Sequence, residues 1–212
     1  MENRKKIRKL FLFLLLISFI ETIQAQNIQF LRGSKDLNFV TFELYKPLEH
    51  GTLYYFTDFK FSKNGYYEAY SEISKYWNLT KTVSLTAQYN AGLNENFQIK
   101  PVYLGGISKA FKLGENFDLS IDGMYRYQKE LILSDEKQNG YQITINFCQN
   151  LDKIQISGYY DFWNSKYYIF EPQAWYKLFK RIYLGLEWRK SNYDLLENYE
   201  NYFMFGFKWN LE

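Results

Sequence analysis

The segment Tyr202-Phe203-Met204-Phe205-Gly206-Phe207-Lys208-Trp209-Asn210-Leu211 decides how the rest of the chain is read. Phe203, Phe205, Phe207, Trp209 and Leu211 recur at every second position. Tyr202, Met204, Gly206, Lys208 and Asn210 fill the positions between. Successive side chains of a β-strand point to opposite faces, so this is a strand with one apolar and one mostly polar side.

The same alternation runs back through the sequence. Ile182, Leu184, Leu186 and Trp188 oppose Tyr183, Gly185, Glu187 and Arg189. Ile154, Ile156, Tyr160 and Phe162 oppose Gln155, Ser157, Tyr159, Asp161 and Trp163. Tyr141, Ile143, Ile145 and Phe147 oppose Gln142, Thr144, Asn146 and Cys148, and comparable stripes cover 117–128 and 83–90. Segments 37–46, 51–62, 66–77 and 98–111 are noisier. With a weak strand near Asn27–Arg32 and one near 168–177, the pattern predicts about twelve strands. Turn-rich pieces such as Pro47-Leu48-Glu49-His50-Gly51 and Lys112-Leu113-Gly114-Glu115-Asn116 separate them. Pro172 cannot donate to a sheet ladder, so it is expected at a strand start or a bulge.

Composition narrows the class. Aromatic residues make up 21% of the 212 positions, far from the aromatic-poor make-up of a disordered chain. One Cys and one His exclude a disulfide framework and Cys- or His-rich metal sites, so no cofactor is expected. Residues 1–25 read as a secretory signal peptide: a basic stretch from Arg4 to Lys9, an apolar run from Leu10 to Ile20, and the small Ala25 at the cleavage point. The run is too short to span a bilayer as a helix. These residues hold five of the 26 Lys and Arg and two of the 23 Asp and Glu. The remainder, 26–212, is therefore neutral, reads as one domain, and gives no electrostatic reason to bind a nucleic acid polymer.

Alternation alone does not say which face is outside. An export signal, aromatic-rich apolar faces, polar opposite faces and segments of bilayer-crossing length all suit an antiparallel transmembrane β-barrel in the cell outer membrane, with lipid outside and a wet lumen inside. Loop lengths agree. If the chain starts in the periplasm, the periplasmic connections 47–50, 78–82, 112–116, 149–153 and 178–181 are all short. The longest ones, Lys129–Gly140 and Lys190–Asn201, fall outside, the expected asymmetry.

Ser157-Gly158-Tyr159-Tyr160-Asp161-Phe162-Trp163 and Phe170-Glu171-Pro172-Gln173-Ala174-Trp175-Tyr176 carry a resemblance to an uncharacterised family of Gram-negative outer-membrane proteins. That family is distantly similar to the nucleoside-specific channel-forming (Tsx-like) barrels. The resemblance implies a twelve-stranded barrel and passage of small solutes such as nucleosides. It assigns no contact residue.

Candidate functional residues come from the polar face. Short turns fix cross-strand neighbours. A hairpin around 164–168 is expected to set Asp161 opposite Glu171, and a turn at 178–181 to set Glu171 opposite Arg189 and Gln173 opposite Glu187. Arg126 is expected beside Gln142, and Gln142 beside Tyr159. The result is a lumenal belt of Arg126, Tyr159, Asp161, Glu171, Gln173, Glu187 and Arg189, with Trp163 and Trp175 nearby. It serves either as a constriction for a polar or aromatic solute or as the filling of a plugged structural barrel with partner-binding outer loops. The expected partners are outer-membrane lipid and a small-molecule solute; the pattern carries no information on oligomeric state. His50, in a turn, reads as solvated rather than as the base of a lipid hydrolase, and Cys148 as an inert lumenal thiol. A closed barrel leaves no unpaired sheet edge. The mature protein is accordingly expected to fractionate with outer membranes and to change gel mobility between unheated and boiled samples. Its recovery as a soluble periplasmic protein would end this reading.

Overall fold

The computed structural model describes residues 26–33, 37–62, 65–94, 98–128, 139–193 and 201–211. The expected signal peptide and most of the two longest connections lie outside the described residues. The described chain is all β: β1 (Asn27–Gly33), β2 (Asn38–Leu48), β3 (Gly51–Ser62), β4 (Gly65–Asn78), β5 (Val83–Asn94), β6 (Gln98–Lys112), β7 (Phe117–Gln128), β8 (Gly140–Leu151), β9 (Ile154–Trp163), β10 (Tyr167–Lys177), β11 (Ile182–Ser191) and β12 (Asn201–Asn210). Each strand pairs antiparallel with its sequence neighbours, and β12 returns to β1 to close a twelve-stranded barrel. The closing seam runs in register from Asn27↔Asn210 to Gly33↔Met204. It continues into the Leu211 N–H, which donates to the Gln26 carbonyl at 3.0 Å.

The two faces separate by parity. Phe205 is 61% exposed on the outside, while Met204 beside it is 2% exposed and points inward. Ile107, Tyr125, Tyr141, Leu184, Leu186 and Phe203 are likewise exposed on the outer face. Some outer rings stack across strands, such as Phe30 on Phe207 at 4.8 Å and Trp188 on Phe203 at 5.7 Å. A single closed sheet has no second layer to cover this apolar band, and hydrocarbon is the medium in which such a surface is stable.

Two expectations need correction. Pro172 is neither a strand start nor a register-shifting bulge. It lies inside β10 opposite Gly158, with the register to β9 continuous from Tyr167↔Trp163 to Tyr176↔Ile154. Toward β11 the pairs at Glu171 and Pro172 are missing, and pairing resumes at Gln173↔Glu187 in the frame set by Phe170↔Lys190. The proline ring has no N–H to give, so the ladder opens locally without slipping. Register does shift at Lys60/Phe61 and Asn90/Gly92.

The inner face is also not uniformly wet. Leu31, Leu37, Phe39, Trp175, Tyr202 and Met204 form a buried apolar cluster inside the barrel, and Val102, Leu104 and Met124 form a smaller one. Glycines make the first cluster possible. Gly185 and Gly206 face each other across β11 and β12. A Cβ on Gly185 would lie 2.2 Å from the Trp175 ring, and one on Gly206 would lie 1.8 Å from the Phe30 carbonyl oxygen. The indole occupies the space that a side chain at Gly185 would need.

Met204 packs in the apolar cluster, whereas Ser120 is inward-facing, half-buried and borders the cavity. Phe205→Arg is expected to cost about 2–4 kcal/mol of stability in lipid vesicles, the price of arginine against hydrocarbon. Ser120→Arg is expected to cost much less. Equal losses in urea unfolding of the two variants would show that the outer face does not meet lipid.

Candidate functional site: the barrel lumen

A cavity of about 1330 Å³ occupies the barrel. Its lining begins at the rim of the short turns with Thr52, Asn78, Lys112, Asn150 and Asn210. It reaches Lys60, Glu68, Gln128, Trp163 and Tyr193 at the opposite end. Between the rims its walls are alternate residues of the strands, so the same parity that puts aromatics outside puts amides, hydroxyls and charges inside.

The belt expected from sequence resolves into two groups. In the first, Arg126 on β7 donates from Nη1 to Gln142 Oε1 at 2.7 Å and from Nη2 to Gln128 Oε1 at 3.1 Å. Its guanidinium also sits 5.0 Å from the centre of the Trp163 ring. Gln142 Nε2 donates to Thr144 Oγ1 at 3.1 Å, and that hydroxyl donates to Asp161 Oδ1 at 2.5 Å. A relay of contacts thus links β7, β8 and β9.

The second group joins β9, β10 and β11. Arg189 Nη1 lies 3.3 Å from Glu171 Oε2, which also accepts from the Tyr159 hydroxyl at 3.2 Å. Gln173 Nε2 donates to Glu187 Oε2 at 2.7 Å. Trp175 Nε1 donates to Gln173 Oε1 at 2.9 Å, but the indole itself is fully buried in the apolar cluster.

Other expected contacts are absent. Asp161 faces Ile169, and Glu171 faces Tyr159. The β9–β10 turn is only Asn164–Lys166, closed by Trp163↔Tyr167, with Asn164 and Ser165 both at φ 53°. Asn is among the residues that best tolerate this left-handed conformation, and the resulting tight turn moves the pairing two residues from the frame a 164–168 loop would set. Faces survive a two-residue offset; partners do not. On the other side of β9, the two-residue turn Asp152-Lys153, closed by Leu151↔Ile154, sets Gln142 opposite Trp163 rather than Tyr159.

Several lumenal groups come from strands too noisy to assign by pattern. Glu43 accepts from Asn27 Nδ2 and from the Tyr54 hydroxyl, both at 2.7 Å. Asp58 accepts from Thr41 Oγ1 at 2.6 Å, and Lys60 pairs with Glu68 at 2.5 Å. Glu72 accepts from Ser74 Oγ at 3.2 Å. The spacing of Glu68, Tyr70 and Glu72 was the available signal, since residues two and four apart on one strand share a face. Hydrogen bonds also span non-adjacent strands: Tyr76 on β4 donates to Asp122 Oδ2 on β7 at 2.9 Å, and Lys208 on β12 donates to Gln155 Oε1 on β9 at 2.7 Å. Lys208 also lies 4.7 Å from the Trp175 ring centre. The charges that border the cavity are nearly balanced: Glu43, Asp58, Glu68, Glu72, Asp118, Asp161, Glu171 and Glu187 against Lys60, Lys81, Lys100, Lys112, Arg126, Arg189 and Lys208.

His50 is exposed in its turn, 3.6 Å from Glu49. Cys148 is half-buried at the lumen wall and accepts a contact from Asn150 Nδ2 at 3.7 Å. Among the described residues no group of three His, Cys, Asp or Glu is placed to hold a metal ion. The Glu171–Arg189 pair lends itself to a double-mutant cycle. Combining Glu171→Gln with Arg189→Ala is expected to show a coupling of about 1–3 kcal/mol. Simple additivity in unfolding measurements would mean the pair contributes nothing to the fold.

Solved structures similar to this chain include porins. A KdgM porin in complex with disordered oligogalacturonate superposes with a TM-score of 0.55 at 11% identity, covering 88% of this chain and 99% of that one. A second KdgM porin structure gives 0.55 at 10% identity over the same shares. The NanC porin in a rhombohedral crystal form gives 0.55 at 9% identity, over 87% and 99%. Identities this low establish a shared fold and nothing finer, and the expected outer-membrane barrel kinship fits them. No curated protein matches the sequence. Residues 27–210 match the family described as a domain of unknown function, DUF5020, and the chain belongs to that family.

Proposed function

We propose that this protein is a passive outer-membrane channel for small polar solutes. One observation carries the reading: a cavity bordered by residues of both barrel rims, with a wall of charges, amides and hydroxyls. A barrel whose interior served only as a core would be filled by its side chains. Rings that border the cavity, among them Tyr70, Tyr159 and Trp163, accompany hydrogen-bonding groups such as Asn90, Gln142 and Gln173. Aromatic faces with amides suit a flat, hydrogen-bonding solute, and the resemblance to Tsx-like barrels names nucleosides as such a class. Porins of the same fold include one solved with oligogalacturonate, consistent with a hydrophilic cargo.

The second reading is a plugged structural barrel whose outer loops bind partners. It is favoured by the apolar cluster around Trp175 and Met204, which fills part of the lumen with packed side chains. Conductance decides between them. In planar bilayers the purified protein is expected to give discrete conductance steps, reduced by at least one member of a panel of nucleosides. Conductance no greater than that of a protein-free bilayer would rule out the channel and leave the plug. Steps untouched by any nucleoside would keep the channel and remove the nucleoside preference.

A further inference from the structure

The outer face of the barrel carries charge of one sign. On the described strands every Asp and Glu lies at an inward position, whereas the charged residues at outward positions are Arg32, Lys46, Lys75, Lys109 and Lys190. Arg32 faces the outward Phe205, and Lys190 faces Phe170, both at the rim of the long connections. The other three gather at the opposite rim. Lys46, Lys75 and Lys109 sit two or three residues before the ends of β2, β4 and β6, where the short turns begin. They therefore lie at a similar height on three successive hairpins. Leu53 pairs with both Lys46 and Lys75, which sets these two roughly 10 Å apart, two strand spacings.

Two of the ammonium groups lean toward that rim. Lys75 Nζ lies 5.8 Å from the centre of the Trp77 ring, and Lys109 Nζ lies 5.1 Å from that of Phe111. Each ring is two positions nearer the turn than its lysine. Trp77 is exposed, as an indole at a membrane interface is. None of the ion pairs among the described residues, His50–Glu49, Lys60–Glu68 and Glu171–Arg189, involves these lysines. Glu49, in the β2–β3 turn, lies against His50. An ammonium in hydrocarbon is costly, so a lysine at the edge of an apolar band lays its methylenes on that band and carries its charge to the headgroup layer. The counter-charge available there is lipid phosphate, which accepts charge-assisted hydrogen bonds. A zwitterionic headgroup already holds a cation beside its phosphate, whereas an anionic one leaves its charge for the protein.

We propose that the outward face of β2–β6, through Lys46, Lys75 and Lys109, is a docking site for anionic glycerophospholipid in the leaflet that the short turns reach. This rests on the outer face meeting lipid and not on conduction, since an open channel and a plugged barrel would carry the site alike.

The test is the association of spin-labelled phosphatidylglycerol and phosphatidylcholine with the full barrel in vesicles, read as the motionally restricted fraction in electron paramagnetic resonance spectra. The wild type is expected to favour phosphatidylglycerol several-fold, and molar salt to remove most of that preference. Lys46→Gln, Lys75→Gln and Lys109→Gln together are expected to bring the ratio toward unity, in protein that keeps its heat-dependent gel shift. Arg32→Gln with Lys190→Gln, at the other rim, is expected to change it far less. Should the triple variant fail to fold, Lys75→Gln alone is expected to lower the ratio by a smaller factor. Equal restriction of both lipids by the wild type, a ratio unchanged in the folded lysine variant, or equal losses in the two sets of variants would overturn the proposal. Displacement of the phosphatidylglycerol label by lipid A more readily than by unlabelled phosphatidylglycerol would overturn the choice of a glycerophospholipid. Absence of any restricted lipid would overturn the lipid-facing reading with it.

Discussion

The structure depends on the hydrogen bonds between β1 and β12. A strand edge in hydrocarbon leaves a row of N–H and C=O groups with no water to satisfy them, at several kcal/mol for each group. The short β1 must therefore pair on both sides, with β2 and with β12, over nearly its whole length. Once it does, the side-chain positions of the remaining strands divide into inside and outside, and no strand can slip by one residue without turning its aromatic stripe into the lumen.

That constraint explains which parts of the molecule were legible in the sequence. β12, β11, β9, β8 and β7 show their stripes openly, because each has an apolar outer face and a polar inner one. β2, β3 and β4 do not. Phe39 and Phe56 point inward, while Thr57 and Ser71 lie on the outer parity and satisfy each other with a 2.8 Å hydrogen bond. Their polar groups are paired laterally, so the alternation is real in space and blurred in composition.

The site was legible in part, and its errors of pairing share one origin. Parity placed all nine candidate residues on the inner face, because parity depends only on counting in twos. Partners depend on the length of each turn, and the left-handed Asn164 and Ser165 shortened one by an amount that residue type does not announce. Glu171 and Arg189 met; Asp161 and Glu171 did not. The apolar cluster was missed for a different reason. Leu31, Phe39, Trp175 and Met204 come from strands far apart in sequence, and only closure brings them together.

The packing of Trp175 over Gly185 separates two properties that barrels are often thought to link. The number of strands fixes the circumference of the backbone. The space left inside depends also on the side chains that project from the wall, and here Trp175, Met204, Phe39 and Leu31 occupy part of it. These side chains fill part of the interior on the side of β12, β1 and β2. Its width is thus open to change by trimming or enlarging a few inward residues, with the lipid-facing surface and the closing seam left as they are. A family built on this scaffold can vary its aperture without rebuilding its barrel.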